Sequence, residues 1–338
     1  MAVRPFLYLG DTVCRCVFTT VQFKPKFYAT TVYKQIRHFR KVKGKAKEIE
    51  VSFPSEHVEK GPVPLSRMMK PFAFTVMFSG TTFIAATIWE YERIRERTYR
   101  MVNHYKQLGI HKVGWRHEME VWWKNLTEGQ KVFAPICFLN IMVFLAWRIP
   151  QLQKTMVQYF CANPASRTLC WPMLLSSFSH YSFLHLAANM YVLHSFSSLA
   201  VSALGKEQFV ALYLTGGVVS SFASNLYKTT FRIYSPSLGA SGAVMAILGF
   251  VCSQFPDTYL TIIFLPMYKF TASGAIKVIM GLDILGCLMR WQYFDHAAHL
   301  GGVLFGLFWQ AWGKENIWQK REPVLTFWHE LRGPPRSH

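Results

Sequence analysis

Residues 237 to 250 read SLGASGAVMAILGF, a run that starts with small residues and continues as an apolar segment. The apolar part predicts a membrane-spanning helix, which we place near residues 237–255. Ser241 stands in its first turn, next to Gly242 and two residues after Gly239. Because small residues let helix backbones approach closely in a membrane, the stretch predicts a tight helix contact with a hydroxyl beside it.

Six other apolar segments are long enough to cross a bilayer, so the chain is predicted to be an all-α membrane protein with seven spans. The first, PFAFTVMFSGTTFIAATIW at residues 71–89, carries no charged side chain over about the 20 residues that one crossing requires. The remaining spans are expected near residues 132–149, 173–200, 207–226, 270–290 and 296–313. One leading helix is thus followed by a compact group of six.

The distribution of charge argues against nucleic-acid binding. The chain is 51% hydrophobic and 16% charged, with 37 Lys and Arg against 18 Asp and Glu. A basic excess is also typical of nucleic-acid-binding proteins. Here the charges lie between the apolar segments and at the N-terminus, and no zinc-finger spacing occurs. We therefore predict contact with membrane lipid and no nucleic-acid partner.

The N-terminus is basic and has no continuous apolar core. Residues 1–47 contain eleven Lys and Arg but a single acid, Asp11. This composition predicts a mitochondrial transit peptide over residues 1–50 and disfavours a secretory signal. A basic disordered tail remains the alternative, since no serine precedes Ser52. The prolines and glycine of residues 51–70 predict a flexible linker after it.

Histidine and asparagine occur inside the segment FSHYSFLHLAANMYVLHSF, residues 178–196. His185 and Asn189 are four residues apart, so a helix places both on one face. Such a pair could support developing negative charge or could hydrogen-bond to neighbouring helices, and taken alone it favours the second role. His180, near the start of the segment, could equally lie at the membrane interface.

A histidine with small neighbours opens the last apolar segment, DHAAHLGGVLFG at residues 295–306. His299 is followed by Gly302 and Gly306 in G-x-x-x-G spacing, a face that packs closely on other helices. Close approach is what a hydrogen bond of about 2.6–3.2 Å between His299 and Ser241 requires. Helix packing alone explains each motif separately, but their joint occurrence favours a serine–histidine pair.

The spacing of metal-binding and acidic residues does not support other protease chemistries. No His-Glu-x-x-His motif occurs, and His296 and His299 have no third ligand at a suitable spacing. Asp283 is a single carboxylate in an apolar span, whereas a two-aspartate mechanism needs a second. Of the seven cysteines, only Cys161 and Cys170 are candidates for a disulfide, and buried thiols are the expected alternative. We predict no metal and no cofactor.

Taken together, these motifs resemble those of the rhomboid family of intramembrane proteases, in its mitochondrial branch. The matching residues are Gly239-Ala240-Ser241-Gly242 for the serine motif, Ala298-His299-Leu300-Gly301-Gly302 with Gly306 for the histidine helix, and His180, His185 and Asn189 for the H-x-x-x-x-H-x-x-x-N pattern. The resemblance covers residues 130–313 and implies a six-helix core with one additional N-terminal transmembrane helix, a 1+6 arrangement. In one departure from the family, the first core loop shows no clear Trp-Arg pair, and Arg148 and Trp171 flank it separately.

The resemblance implies a serine protease that uses a Ser–His dyad without a carboxylate. Ser241 is then the nucleophile and His299 its general base, while His185, Asn189 and the Ser241 backbone N–H hold the oxyanion and His180 supports them. Asp295, four residues before His299, could orient the histidine, but an interfacial charge at the helix end is favoured. The implied substrates are single-span membrane proteins of the mitochondrial inner membrane.

The predicted domains follow from these segments. They are the transit peptide at 1–50, the linker at 51–70, the extra transmembrane helix at 71–90, a charged and aromatic connection at 91–131, the rhomboid core at 132–313 and a C-terminal tail at 314–338. Two other classes of protein remain open. An inactive rhomboid-like binding protein is expected to lack Ser241 or His299, and both are present; a transporter is expected to show paired broken helices or an internal repeat.

Overall fold

The computed structural model describes residues 62–104, 114–262 and 265–333, and these residues are mostly helical. The helices are α1 (Met69–His104), α2 (Trp115–Asn125), α3 (Glu128–Ala146), α4 (Gln153–Tyr159), α5 (Cys170–Leu175), α6 (Phe183–Leu204), α7 (Lys206–Phe231), α8 (Ser241–Gln254), α9 (Ala272–Leu288), α10 (His296–Phe308) and α11 (Glu322–Arg332). The predicted transit peptide, residues 1–50, lies outside the described residues.

Three helical stretches among the described residues are long and apolar enough to cross a membrane. They are Leu65–Met101, Glu128–Ala146 and Lys206–Phe231. Helix α8 is apolar but has 14 residues, and α9 and α10 have 17 and 13. A helical segment therefore lies at each of the seven predicted positions, while the 1+6 arrangement of spans stays a prediction.

Local sequence sets where several of these helices begin. Thr127 and Gln130 form a capping box at the start of α3, which satisfies two of the free N–H groups of its first turn. The Thr271 hydroxyl accepts from the N–H of Gly274 at the start of α9, and the Asp295 carboxylate accepts from the N–H of Ala298 at the start of α10. Each cap stands where an apolar helix follows directly, so the boundary is encoded by one side chain.

The buried core is built around α7, α8 and α10. On α10, Gly302 faces the carbonyl oxygen of Gly242, and a Cβ at Gly306 would lie 2.8 Å from the nitrogen of Phe250. On α8, a Cβ at Gly249 would lie 2.6 Å from the carbonyl oxygen of Val303. The backbones of α8 and α10 are therefore in direct contact, as small residues in membrane helices permit.

Two predicted spans have different boundaries in the structure. The segment near 173–200 is divided, because α5 and a short 3-10 turn are separated from α6 by residues 179–182. The segment near 270–290 begins later, since Leu265–Thr271 is a strand (β2) paired antiparallel with Tyr259–Ile262 (β1). The prediction of an all-α protein was wrong at this hairpin, most of which lies between two predicted spans.

The predicted linker and tail are also more ordered than expected. At the end of the 51–70 linker, residues Leu65–Met68 form a 3-10 turn and α1 begins at Met69, while residues 51–61 lie outside the description. The predicted connection at 91–131 starts as a continuation of α1 and later contains α2. The predicted tail at 314–338 contains the end of a π-helix, Trp309–Trp318, and α11.

The additional N-terminal helix is attached to the C-terminal part of the chain. Phe83 of α1 stacks on Trp309 with ring centroids 4.1 Å apart. Further along α1, Glu90 accepts from Arg321 at 2.8 Å, and Glu92 pairs with Arg332 at 2.8 Å. Aromatic stacking and ion pairs thus fix α1 to residues that the sequence analysis assigned to the end of the core and the tail.

The first core loop does contain a Trp-Arg pair, which the sequence analysis overlooked: Trp147 and Arg148 are adjacent. The buried Trp147 indole donates from Nε1 to the Ser179 hydroxyl at 2.8 Å. Arg148 donates to the carbonyl oxygen of Tyr181 at 2.6 Å. The pair therefore ties the end of α3 to the loop before α6. Trp171 instead contacts Phe74 of α1.

The two cysteines considered for a disulfide are free thiols in the structure. Cys161 is buried in the loop after α4, and burial raises the pKa of its thiol to about 12. Because the thiolate is the reactive form, the raised pKa disfavours reaction of the Cys161 thiol. The expectation of a buried thiol therefore fits Cys161, whereas Cys170 is half-buried.

Candidate active site

Ser241 is the first residue of α8, and the loop before it is held by backbone contacts. Ser237 exchanges two backbone hydrogen bonds with Ala162, at 2.8 and 2.9 Å. Gly239 donates to the carbonyl oxygen of Ser176 at 2.9 Å and has φ +135°, a value that favours glycine. Gly239 was predicted to pack helices, but it serves this loop instead. The sharp turn delivers the serine hydroxyl at a helix N-terminus.

His299 reaches Ser241 from the facing helix α10. Its Nε2 atom lies 2.9 Å from the Ser241 Oγ atom. The distance is short because the backbones of α8 and α10 are in contact at Gly242 and Gly302. Gly242 directly follows Ser241, and Gly302 lies three residues after His299. The structure therefore brings together the two side chains that the sequence analysis selected from separate motifs.

His180 and His185 lie on the other side of the Ser241 loop. The fully buried His180 accepts a hydrogen bond from the backbone N–H of Ala240 at 3.3 Å, and its ring is 4.9 Å from that of His185. A Cβ at Gly239 would lie 2.7 Å from the His185 ring. His180 thus supports the loop from within the protein, which contradicts the alternative of an interfacial position.

Asn189 is buried one helical turn beyond His185. Its Nδ2 atom donates to the His185 carbonyl oxygen at 2.9 Å, inside its own helix. This bond uses one of the two protons of the Asn189 amide group and leaves the second to donate elsewhere. His185 lines the cavity at Ser241, and Asn189 is not among the described residues that line it.

A carboxylate that the sequence analysis set aside contacts the histidine. The Oδ1 atom of Asp283, on α9, is 3.3 Å from His299 Nδ1 and 2.8 Å from His296 Nδ1. Each of the three residues has an atom that could bind a metal ion, and these atoms lie within 4.8 Å of one another. Polar contacts between the side chains are sufficient to explain this separation. Spacing along the sequence indicates no third ligand for His296 and His299, whereas in space Asp283 lies beside both although it is distant along the chain.

The carboxylate of Asp295 contacts Lys228 and two serines rather than the His299 ring. Its Oδ1 atom caps α10, and its Oδ2 atom is 2.9 Å from Lys228 Nζ and 2.5 Å from Ser224 Oγ. Ser237, in the loop before Ser241, also donates to this carboxylate. The carboxylate therefore stands at the end of α10, as expected, but it is paired with Lys228 of α7 rather than with His299.

A polar cavity of about 270 Å³ opens beside the serine and histidine. Its lining includes Ser241, His299, His185 and Asp295, together with aromatic residues that precede α10. A cavity with polar walls admits water to a site between membrane helices. The arrangement combines a hydroxyl, a base in contact with it, a helix N-terminus and access for water.

In this structure a serine and a histidine are hydrogen-bonded across two closely packed apolar helices. The protein therefore belongs to the class of helical membrane proteins that carry a side-chain pair of the kind found in serine hydrolases. Comparison with known proteins extends this assignment. Residues 167–314 match the family model described as the rhomboid domain. The chain belongs to the rhomboid family.

Several curated relatives are similar over most of the chain. The human Presenilin-associated rhomboid-like protein, mitochondrial, is 48% identical over 284 residues, which cover 82% of this chain and 75% of the relative. The Danio rerio Presenilin-associated rhomboid-like protein A, mitochondrial, is 44% identical over 298 residues, covering 80% and 78%. Rhomboid protein 1, mitochondrial, from Saccharomyces cerevisiae is 31% identical over 201 residues, covering 59% and 58%.

These relatives confirm two predictions made from the sequence. The first is the resemblance to the mitochondrial branch of the rhomboid family. The second is the location, since all three relatives are named mitochondrial and the chain has several apolar helices. The chain is therefore a mitochondrial membrane protein of the rhomboid family.

Proposed function

We propose that the protein is an intramembrane serine protease in which Ser241 is the nucleophile and His299 the general base. The observation that carries the proposal is the 2.9 Å contact between His299 Nε2 and Ser241 Oγ beside a polar cavity. A nucleophile and a base within hydrogen-bond reach are the minimum machinery for acyl transfer. The family assignment supports the same chemistry.

In the proposed reaction, His299 Nε2 takes the proton of the Ser241 hydroxyl as Oγ bonds to the scissile carbonyl carbon. The tetrahedral intermediate then collapses, the C–N bond breaks, and His299 returns the proton to the leaving amine. Water enters through the cavity, gives a proton to His299 and attacks the acyl-enzyme. Release of the carboxyl product restores Ser241 and neutral His299.

The oxyanion is proposed to bind at the N-terminus of α8. The N–H groups of the first helical turn have no carbonyl partner within the helix, so the Ser241 N–H is free to donate. The His185 ring lies against Gly239 at the same end of the cavity. Asn189 would contribute its second amide proton, and His180 holds the loop. One such donor contributes roughly 3–4 kcal/mol in a soluble hydrolase.

The proposed substrates are membrane proteins with a single transmembrane helix in the mitochondrial inner membrane. A site between apolar helices is accessible to a segment that is itself in the bilayer, and several apolar residues of α3 and α9 are exposed, as expected for contact with lipid. The transit peptide at residues 1–50 is part of this proposal as the signal for import.

The test uses the purified full chain in proteoliposomes with a reporter that carries one transmembrane helix. Ser241→Ala is expected to reduce cleavage by about 10³-fold or more, because the nucleophile is lost. A fluorophosphonate probe, which needs no substrate, is expected to label the wild type and to leave Ser241→Ala unlabelled.

Ser253→Ala is the matched control, since Ser253 lies at the other end of α8 and, within the described part of the chain, bonds to carbonyl groups of its own helix. This variant should cleave and be labelled like the wild type. Cleavage by Ser241→Ala at the wild-type rate would disprove the assignment. Loss of labelling in both serine variants would point to damage of α8 rather than to loss of a nucleophile.

A further inference from the structure

The side chain of His299 has a defined contact on each ring nitrogen. Nε2 lies 2.9 Å from Ser241 Oγ, and Nδ1 lies 3.3 Å from Asp283 Oδ1. A neutral imidazole carries one proton. If Nε2 is to accept the serine proton, the ring proton must be on Nδ1 and needs an acceptor there. The Asp283 carboxylate is the group that occupies this position.

The placement of Asp283 is costly unless it serves the histidine. The residue is 4% exposed, lies in an apolar helix, and its Oδ2 atom has no hydrogen-bond partner among the described residues. A buried carboxylate oxygen without a partner destabilises the folded state, and an apolar side chain of similar size avoids that cost. Packing therefore does not explain why an aspartate stands here.

Two neighbouring residues, His296 and Gly286, help to keep the Asp283 carboxylate beside the His299 ring. His296 Nδ1 is 2.8 Å from the same Oδ1 atom. His296 can approach α9 because Gly286, one turn after Asp283, has no side chain: a Cβ there would lie 2.5 Å from Cγ of His296. A carboxylate oxygen accepts more than one hydrogen bond, so both imidazoles can donate to it.

We propose that Asp283 is a positioning residue that fixes the Nδ1–H tautomer and the ring orientation of His299. This inference rests on the proposed function and extends the dyad to three groups, Ser241, His299 and Asp283, contributed by α8, α10 and α9. Asp283 touches no reacting atom. It acts on catalysis through His299, as an aspartate behind a catalytic histidine does in soluble serine hydrolases.

The first test compares Asp283→Asn and Asp283→Glu in the proteoliposome assay, with KM expressed as the mole fraction of substrate in the bilayer. Asn can donate to Nδ1 and so favours the wrong tautomer, and kcat is expected to fall by about 10²-fold or more with KM unchanged. Glu retains the carboxylate and is expected to recover at least about tenfold of that loss. Asp257→Asn, at an exposed aspartate outside the site, should match the wild type.

The second test does not require catalysis. In protein labelled with 15N-histidine, the His299 signals, assigned by their loss in His299→Gln, should show the Nδ1–H tautomer in the wild type. Asp283→Asn should shift this ring toward the Nε2–H tautomer. Thermal unfolding of each variant separates this effect from a loss of fold.

Several results would overturn the inference. They are a kcat of Asp283→Asn within about threefold of the wild type, a Glu variant no better than the Asn variant, or an unchanged His299 tautomer. Wild-type protein that fails to cleave through Ser241 contradicts the proposed function instead, and the tautomer measurement still decides whether Asp283 positions His299.

Discussion

Helix α10 is held on two sides by different kinds of contact. Toward α8 the contact is between backbones, at Gly302, Gly306 and Gly249, and leaves no room for side chains. Toward α9 it rests on polar side chains, with Asp283 as the central group, while much of the apolar surface of α9 is exposed. The comparison indicates that the Ser–His distance depends on close backbone packing, whereas α9 contributes through Asp283, which hydrogen-bonds to His296 and lies 3.3 Å from His299.

The largest expected difference between the two contacts is tested by placing a leucine at a glycine of the α8–α10 contact and, separately, at a glycine of α9. Gly306→Leu should destabilise the protein by more than about 3 kcal/mol, because a Cβ at this position already collides with the backbone of α8. The expected result is a lower thermal unfolding midpoint in detergent together with loss of fluorophosphonate labelling.

Gly281→Leu is the matched control on α9, where a Cβ has nothing within 4 Å. It should leave the unfolding midpoint and the labelling close to those of the wild type. Equal damage from the two leucines would show that α9 is packed as tightly as α8 and would remove the basis of the comparison.

A smaller effect is expected at the ion pair that joins the first turn of α10 to α7. Lys228→Met leaves the Asp295 carboxylate without its cation in a partly buried site, and removal of one partner of a buried pair costs about 3 kcal/mol. Because Ser237 shares this carboxylate, the loop before Ser241 should loosen as well. Urea or thermal unfolding and the rate of Ser241 labelling measure both effects.

Lys277→Met on α9 provides the comparison for a lysine that is exposed. A change within about 0.5 kcal/mol is expected there, as for most surface substitutions. If Lys228→Met were equally silent, the ion pair would contribute nothing to the position of α10.

The smallest effect is expected at an exposed leucine of α9, for which a buried leucine of α7 is the comparison. Leu282 on α9 is 54% exposed, whereas Leu212 on α7 is 0% exposed. Leu282→Ala should change the free energy of unfolding by less than about 0.5 kcal/mol, while Leu212→Ala leaves a cavity that costs about 2–5 kcal/mol. Similar losses at the two positions, measured by unfolding in the same detergent, would indicate that α9 is covered by a part of the molecule rather than by lipid.

The proximity of Ser241 and His299 could be predicted because both carry small residues at helical spacing, which is a local signal for close packing. Asp283 could not, since its contact with His299 depends on how α9 lies against α10, and nothing in the adjacent sequence reports that. The hairpin was missed for a different reason. Most of it lies between the spans predicted near residues 237–255 and 270–290, and β2 contains polar and charged residues such as Lys269, so hydropathy indicates no element there.

Asp295 illustrates a third limit of the sequence. A single acidic residue at the start of a helix is a good cap and was visible, but its cation, Lys228, lies at the end of another helix 67 residues away. The same applies to Trp147 and Arg148, whose partners Ser179 and Tyr181 define their role. Local motifs thus indicated the reacting pair, while the groups that hold it depend on tertiary contacts.

The pairing of α1 with α11 makes the two ends of the folded chain depend on each other. Glu90 and Glu92 of α1 pair with Arg321 and Arg332, which are made only after the last core helix. During synthesis α1 is therefore complete before either of these two arginines exists. The C-terminal helix adds the last ion pairs to α1, after Glu207 of α7, the partner of Arg93, has already been made.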